Sequence, residues 1–184
     1  MLIRRERTSD LAAIDAVHRS AFADHYANAG GGHRFDHATT RPEPPEIDLV
    51  RRLRDHSGWM PTLSMVAELH DDIVGHVCLT RAAVGPFPVL ALGPIGVRAD
   101  AQADGVGSAL MHAVLGAADA LDEPLVGLVG HLDYYPRFGF APGPRLGIVP
   151  DRSDWTSHFQ IRVLTAYDPE IKGEFHYADP FYDG

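Results

Sequence analysis

Gln102-Ala103-Asp104-Gly105-Val106-Gly107 follow the spacing Q-x-x-G-x-G, and the paired tyrosines Tyr134-Tyr135 come later in the chain, directly before Pro136-Arg137-Phe138-Gly139-Phe140. Glycines lack a Cβ and let the backbone approach a ligand closely, while the first N–H groups of a following helix point outward unpaired. An anion is stabilised there by those donors and by the helix dipole. A phenol held near a departing group can give it a proton. With a slot between strands, these parts suit acyl transfer from a phosphorylated carrier. The loop has no G-K-[ST] and lacks the spacing of a dinucleotide fingerprint, so nucleotide hydrolysis and hydride transfer lose ground. Taken alone, the motif also reads as a plain glycine turn, and either tyrosine as an aromatic core plug.

These residues need elements to position them. Val89–Val97 is apolar on both faces and reads as a strand central in its sheet. After the glycine loop, Val106, Leu110, Val114, Ala117 and Leu121 form one apolar helical stripe. Pro124–Gly130 reads as a second buried strand. Upstream, Leu2–Arg5 is a short strand, and Thr8-Ser9-Asp10 offers an N-cap to a helix through Leu11, Ile14, Val17 (or His18) and Phe22. Asp24–Pro45, rich in Gly, His and Pro, reads as a long loop or substrate lid. Glu46–Asp55 resumes helical spacing. Leu63–Leu69 and Ile73–Arg81 form a hairpin about His70-Asp71-Asp72. Late extended pieces are expected at Phe159–Thr165 and Gly173–Tyr177.

Composition narrows the function. The chain has 184 residues, 45% hydrophobic and 22% charged, with a formal net charge of −9. That length fits one domain spanning 1–184 with a substantial core. The basic clusters are short, at Arg4, Arg5 and Arg7 and at Arg51, Arg52 and Arg54, so nucleic acid is not the expected partner. The acidity is compatible with a cationic substrate. One cysteine, Cys78 in an apolar run, makes neither a disulfide nor a zinc cluster, and fits a reducing cytoplasm. No signal peptide or membrane span is expected.

Strand, Q-x-x-G-x-G loop, amphipathic helix, strand and Tyr-x-Arg-Phe-Gly-Phe together resemble the core of the GCN5-related N-acetyltransferase (GNAT) superfamily. The run GHLDYYPRFGF and the ending Gly173, Tyr177, Phe181 are similar to its bacterial YhbS-like branch. The close agreement covers about 50 residues, and the element order extends over most of the chain. The resemblance implies an α/β (α+β) fold with a central, mostly antiparallel mixed sheet flanked by helices and two splayed central strands. It implies acetyl-CoA as co-substrate, with its pyrophosphate on the amides of Gln102, Ala103, Asp104, Gly105, Val106, Gly107 and Ser108. It puts the pantetheine arm along Ile95 and Val97, the Ile95 amide on the thioester carbonyl, and Tyr135 in the role of general acid. Tyr134 would pack or line the cofactor site.

Two departures stand out. Asp104 occupies a position where the family commonly has Arg or Lys; Arg98 or Arg137 could compensate. Phe87–Val97 holds no Glu, where several relatives keep a general base, and Glu68, His76, His131 and Asp133 are the alternatives. His33 and His37 are four apart but lie in a Gly-rich stretch, and no metal is expected. The expected activity is transfer of an acetyl group to a primary amine of a small molecule or peptide by direct attack. A non-catalytic acyl-CoA-binding module is the alternative. Neither the acceptor nor the oligomeric state is readable, a homodimer being one option.

Overall fold

The computed structural model describes residues 1–29 and 43–183, and side chains except those of 24–29. Its main elements are β1 (Leu2–Arg5), α1 (Leu11–Ala29), α2 (Pro45–Asp55), β2 (Trp59–Leu69), β3 (Asp72–Val84), β4 (Phe87–Val97), α3 (Val106–Asp119), β5 (Leu125–Val129), β6 (Ala141–Pro142), β7 (Ile148–Pro150), β8 (Phe159–Val163) and β9 (Gly173–His176). The described residues form one nine-stranded sheet in the order β1-β2-β3-β4-β5-β8-β6, with β9 pairing both β3 and β7. The β4–β5 and β7–β9 pairs are parallel and the others antiparallel. This is the mixed, mostly antiparallel sheet flanked by helices that the sequence led us to expect.

β4 is central, as its two apolar faces required. It pairs β3 along its whole length but β5 only at Leu90↔Val126 and Ala91↔Gly127. Beyond that point β5 continues to pair β8, through Leu128↔Gln160 and Val129↔Phe159, and β4 continues along β3 alone. The central strands therefore part. The parting begins where the β3–β4 register slips between Val77↔Ile95 and Leu79↔Leu92, which places one extra β4 residue around Gly93-Pro94. A bulge of this kind bends its strand and re-aims the residues that follow.

α3 packs on one face of the sheet through Val106, Leu110, Met111, Val114 and Ala118. It can lie close because Gly75 of β3 has no side chain: a Cβ there would fall 2.8 Å from Leu110 Cδ1 and 3.0 Å from Val106 Cγ1. Leu121, expected at the end of this stripe, lies past the helix and is 47% exposed.

Four further expectations are corrected. Thr8–Asp10 is itself a 3-10 turn without a side-chain cap, and Asp10 instead accepts the Arg7 N–H at 2.7 Å. α1 runs to Ala29, so the loop expected from Asp24 starts later; Asp24–Ala29 contains no Gly or Pro to stop the helix. The rest of that expected lid through residue 42, with the His33/His37 pair, lies outside the described residues. α2 begins at Pro45, whose missing N–H and fixed φ suit a first helical position. The hairpin strands extend beyond their expected ends and join through His70 and Asp71, both at positive φ (51° and 68°), as a two-residue type I′ connection requires.

Candidate active site

Where β4 and β5 separate, a cleft of about 870 Å³ opens. One wall is β4 from Leu92 to Val97, the other is Val129-Gly130-His131, and the floor is the glycine loop with the start of α3. Gly105 takes the left-handed conformation, φ 81°, and serves as N-cap of α3. The first intrahelical bond there runs from Ala109 N–H to Gly105 O at 3.0 Å, so the amides before Ala109 have no helical acceptor. The Gln102 side chain donates to Val97 O at 3.0 Å and ties the loop to the end of β4.

The two tyrosines diverge. Their rings meet edge to face, 5.1 Å apart at 88°. The Tyr134 hydroxyl lies over the helix start, where a Cβ on Gly107 would come within 2.7 Å of it. Arg137 stacks on Tyr134 at 4.8 Å and lines the cleft, adding a cation beside the loop. Tyr135 turns instead toward Gly130, where a Cβ would sit 2.3 Å from its Cε2, and packs on Phe140. Burial, followed by the neighbouring Tyr134, pushes the Tyr135 phenol up to about 12. The 3-10 turn Tyr135–Phe138 ends at Gly139 in the left-handed region, φ 81°; its N-cap is Tyr134, not Asp133.

Of the residues singled out from the sequence, Ile95, Val97, Gln102, Ala103, Gly105, Val106, Gly107, Ser108 and Tyr135 all line the cleft. Asp104 is exposed and lies outside that lining. Arg98 is engaged with Asp100 at 2.6 Å, whereas Arg137 lines the cleft. Among the candidate bases only His131 borders the cleft. Glu68 is paired with Arg4 at 2.7 Å, and Asp133 is exposed.

His76 is fully buried behind β4, where Nδ1 meets His18 Nε2 at 2.9 Å and Nε2 lies 3.0 Å from Ser64 Oγ and 3.2 Å from Glu6 Oε2. Burial lowers both imidazoles, His18 to about 2, so both rings are neutral. Cys78 is buried, its thiol donating to Gly93 O at 3.2 Å, and burial raises its pKa, so it is no nucleophile.

Sequence reading missed Ala21 and Phe22 of α1 and Glu46 of α2, which complete the cleft on the side away from α3. They come from helices far from the motif in the chain, and the helical spacing that marked them as surface or core carried no sign of a ligand. Glu46 is the one carboxylate among the described lining residues.

A mixed sheet whose central strands part over a glycine loop and a helix N-terminus defines the acetyltransferase architecture. The comparisons agree. Residues 33–140 match the Acetyltransferase (GNAT) family. The uncharacterized N-acetyltransferase YjhQ of Escherichia coli (strain K12) is 30% identical over 145 residues, 73% of this chain and 79% of that protein. A GNAT family acetyltransferase from Brucella melitensis, solved with acetyl-CoA, is 26% identical with a TM-score of 0.72, over 98% of this chain and 97% of that one. The E. coli N-acetyltransferase YhbS, solved with CoA, shares the fold at a TM-score of 0.81 and 22% identity, over 98% and 91% of the two chains. The chain belongs to the GNAT family and is an acyltransferase.

Proposed function

We propose that residues 1–184 act as one N-acetyltransferase domain that moves the acetyl group of acetyl-CoA to a primary amine of a small molecule or peptide. The observation that carries this reading is the continuous cleft from the free amides at Gly105–Ser108, along the unpaired edge of β4, to Tyr135. The loop amides and Arg137 hold the pyrophosphate, since helix N-terminal N–H groups and a cation favour an anion there. The pantetheine arm lies against Ile95 and Val97 as an added strand.

The amine nitrogen attacks the thioester carbonyl directly. The N–C bond forms, the C–S bond breaks, and the Ile95 amide stabilises the charge gathering on the carbonyl oxygen. The incoming ammonium first loses a proton to solvent. As the adduct collapses, the departing thiolate takes the Tyr135 proton, and the extra proton on the adduct nitrogen returns through water to the Tyr135 phenolate. The neutral phenol at physiological pH suits a donor, and the buried Cys78 argues against an acyl-enzyme. Incubating the purified protein with acetyl-CoA and a panel of primary amines, while following thiol release, tests the reading. Amine-dependent release is expected; its absence, with calorimetry finding no CoA binding at millimolar concentration, would overturn it.

A further inference from the structure

Beside the cleft, a smaller pocket of about 260 Å³ shares the 92–94 segment of β4 and Val129 with it. Its remaining walls are Leu49, Trp155, Tyr177 and Phe181, with no charged side chain in the lining. The aromatic wall is braced from behind. Trp155 meets Tyr177 edge to face at 5.3 Å and stacks on Tyr182 at 5.8 Å. The Tyr182 hydroxyl donates to Asp151 at 2.7 Å and accepts the Tyr177 N–H at 2.8 Å. Tyr177 also packs on Phe181 at 5.0 Å. The Tyr177 hydroxyl is buried and has no hydrogen-bond partner among the described residues. A preformed apolar cavity walled by braced aromatic side chains has the character of a small-molecule site.

We infer that this pocket receives an aromatic ring or a comparably bulky apolar group carried by the amine acceptor, so that the enzyme's substrates are arylalkylamine-like. The inference rests on the proposed acetyl transfer. An acetyl methyl is far too small to fill the pocket, and the pocket shares Leu92–Pro94 and Val129 with the cleft, next to Ile95, where the proposed thioester carbonyl lies. α2 contributes Leu49 to the pocket wall, and Glu46, three residues earlier on the same helical face, lines the cleft. A second cationic group has no counter-charge in the pocket lining, so diamines fit poorly.

The test compares kcat/KM for 2-phenylethylamine, ethylamine and 1,4-diaminobutane with acetyl-CoA. The aryl amine is expected to exceed ethylamine by about 30-fold or more, within the range a filled apolar pocket supplies. The diamine should do no better than ethylamine. Leu49→Trp, which fills the hollow, should collapse the aryl-to-ethyl ratio to below about 3-fold, with thermal melting used to verify folding. A wild-type ratio near one, or a ratio that survives Leu49→Trp, overturns the inference. So does a gain that comes from hexanoyl-CoA with ethylamine while the ring confers nothing, because the hollow then belongs to the acyl chain. Should no amine release thiol, calorimetry on the CoA-saturated protein separates the two failures. Binding of 2-phenylethylamine about tenfold tighter than ethylamine supports the pocket while acetyl transfer falls; equal or absent binding overturns the pocket.

Discussion

Tyr134 and Tyr135 are adjacent in sequence, yet their rings stand at 88° and serve opposite ends of the site. Tyr134 meets the start of α3, and Tyr135 meets Gly130. On the proposed mechanism only Tyr135 handles a proton. Tyr135→Phe is expected to lower kcat by about 10²-fold or more while the CoA dissociation constant stays within about 2-fold, read by thiol release and calorimetry. A phenol held near 12 remains a donor below that pH, so deprotonation of Tyr135 adds no alkaline limb to the kcat profile below about pH 11. The identity of Tyr135 was legible because the run GHLDYYPRFGF is local. Phe22 and Glu46 were not, because a residue enters a cleft by tertiary placement, which helical spacing does not encode.

β4, the glycine loop, α3 and β5 were readable as a unit, since β4 and β5 are continuous apolar runs, α3 carries one apolar stripe and the glycines punctuate them. β6 and β7 span two and three residues and have too few positions to show a period. The tail of α1 was missed for a related reason: its apolar stripe fades after Phe22, although nothing breaks the helix before Gly30. The seat of α3 depends on a residue in another element. Gly75→Val would press methyl groups into Leu110 and Val106 and lift the helix start from β3. Such overpacking costs about 1–3 kcal/mol. The expected result is a lower thermal midpoint together with weaker CoA binding, because the loop amides move with α3. A lower midpoint with unchanged CoA affinity would show that the loop does not depend on that seat.

At the scale of the molecule, one buried polar chain links five segments. Arg54 of α2 grips Glu6 through two bonds of 3.0 and 3.1 Å, and Glu6 meets Ser64 of β2 and His76 of β3, which reaches His18 of α1. Burial would raise the Glu6 carboxyl, but hydrogen bonds from His76, Arg54 and Ser64 overcome it and hold the group at about 2. His18 and His76 are depressed by burial. In the unfolded chain the imidazoles take up protons below about 6.5 and the carboxylate below about 4.5, while the folded chain resists both. The unfolded state therefore binds more protons as pH falls, and stability decreases. The urea midpoint should be level above about pH 7, fall below 6.5 and fall more steeply below 4.5. An unchanged midpoint between pH 7.5 and 5 would show that the two histidines are not held neutral in the fold.

On the proposed mode of binding, the amides of Gly105–Ser108 and Arg137 hold the carrier's pyrophosphate, away from the short acyl group that distinguishes a loaded carrier from a spent one. Binding strength drawn from the common part of two molecules cannot tell them apart. Free CoA should consequently rival acetyl-CoA for the protein, with inhibition constant and Michaelis constant within about tenfold of each other. Turnover would then follow the proportion of acylated to discarded carrier rather than the amount of either, making this enzyme a reader of the cell's acetyl supply.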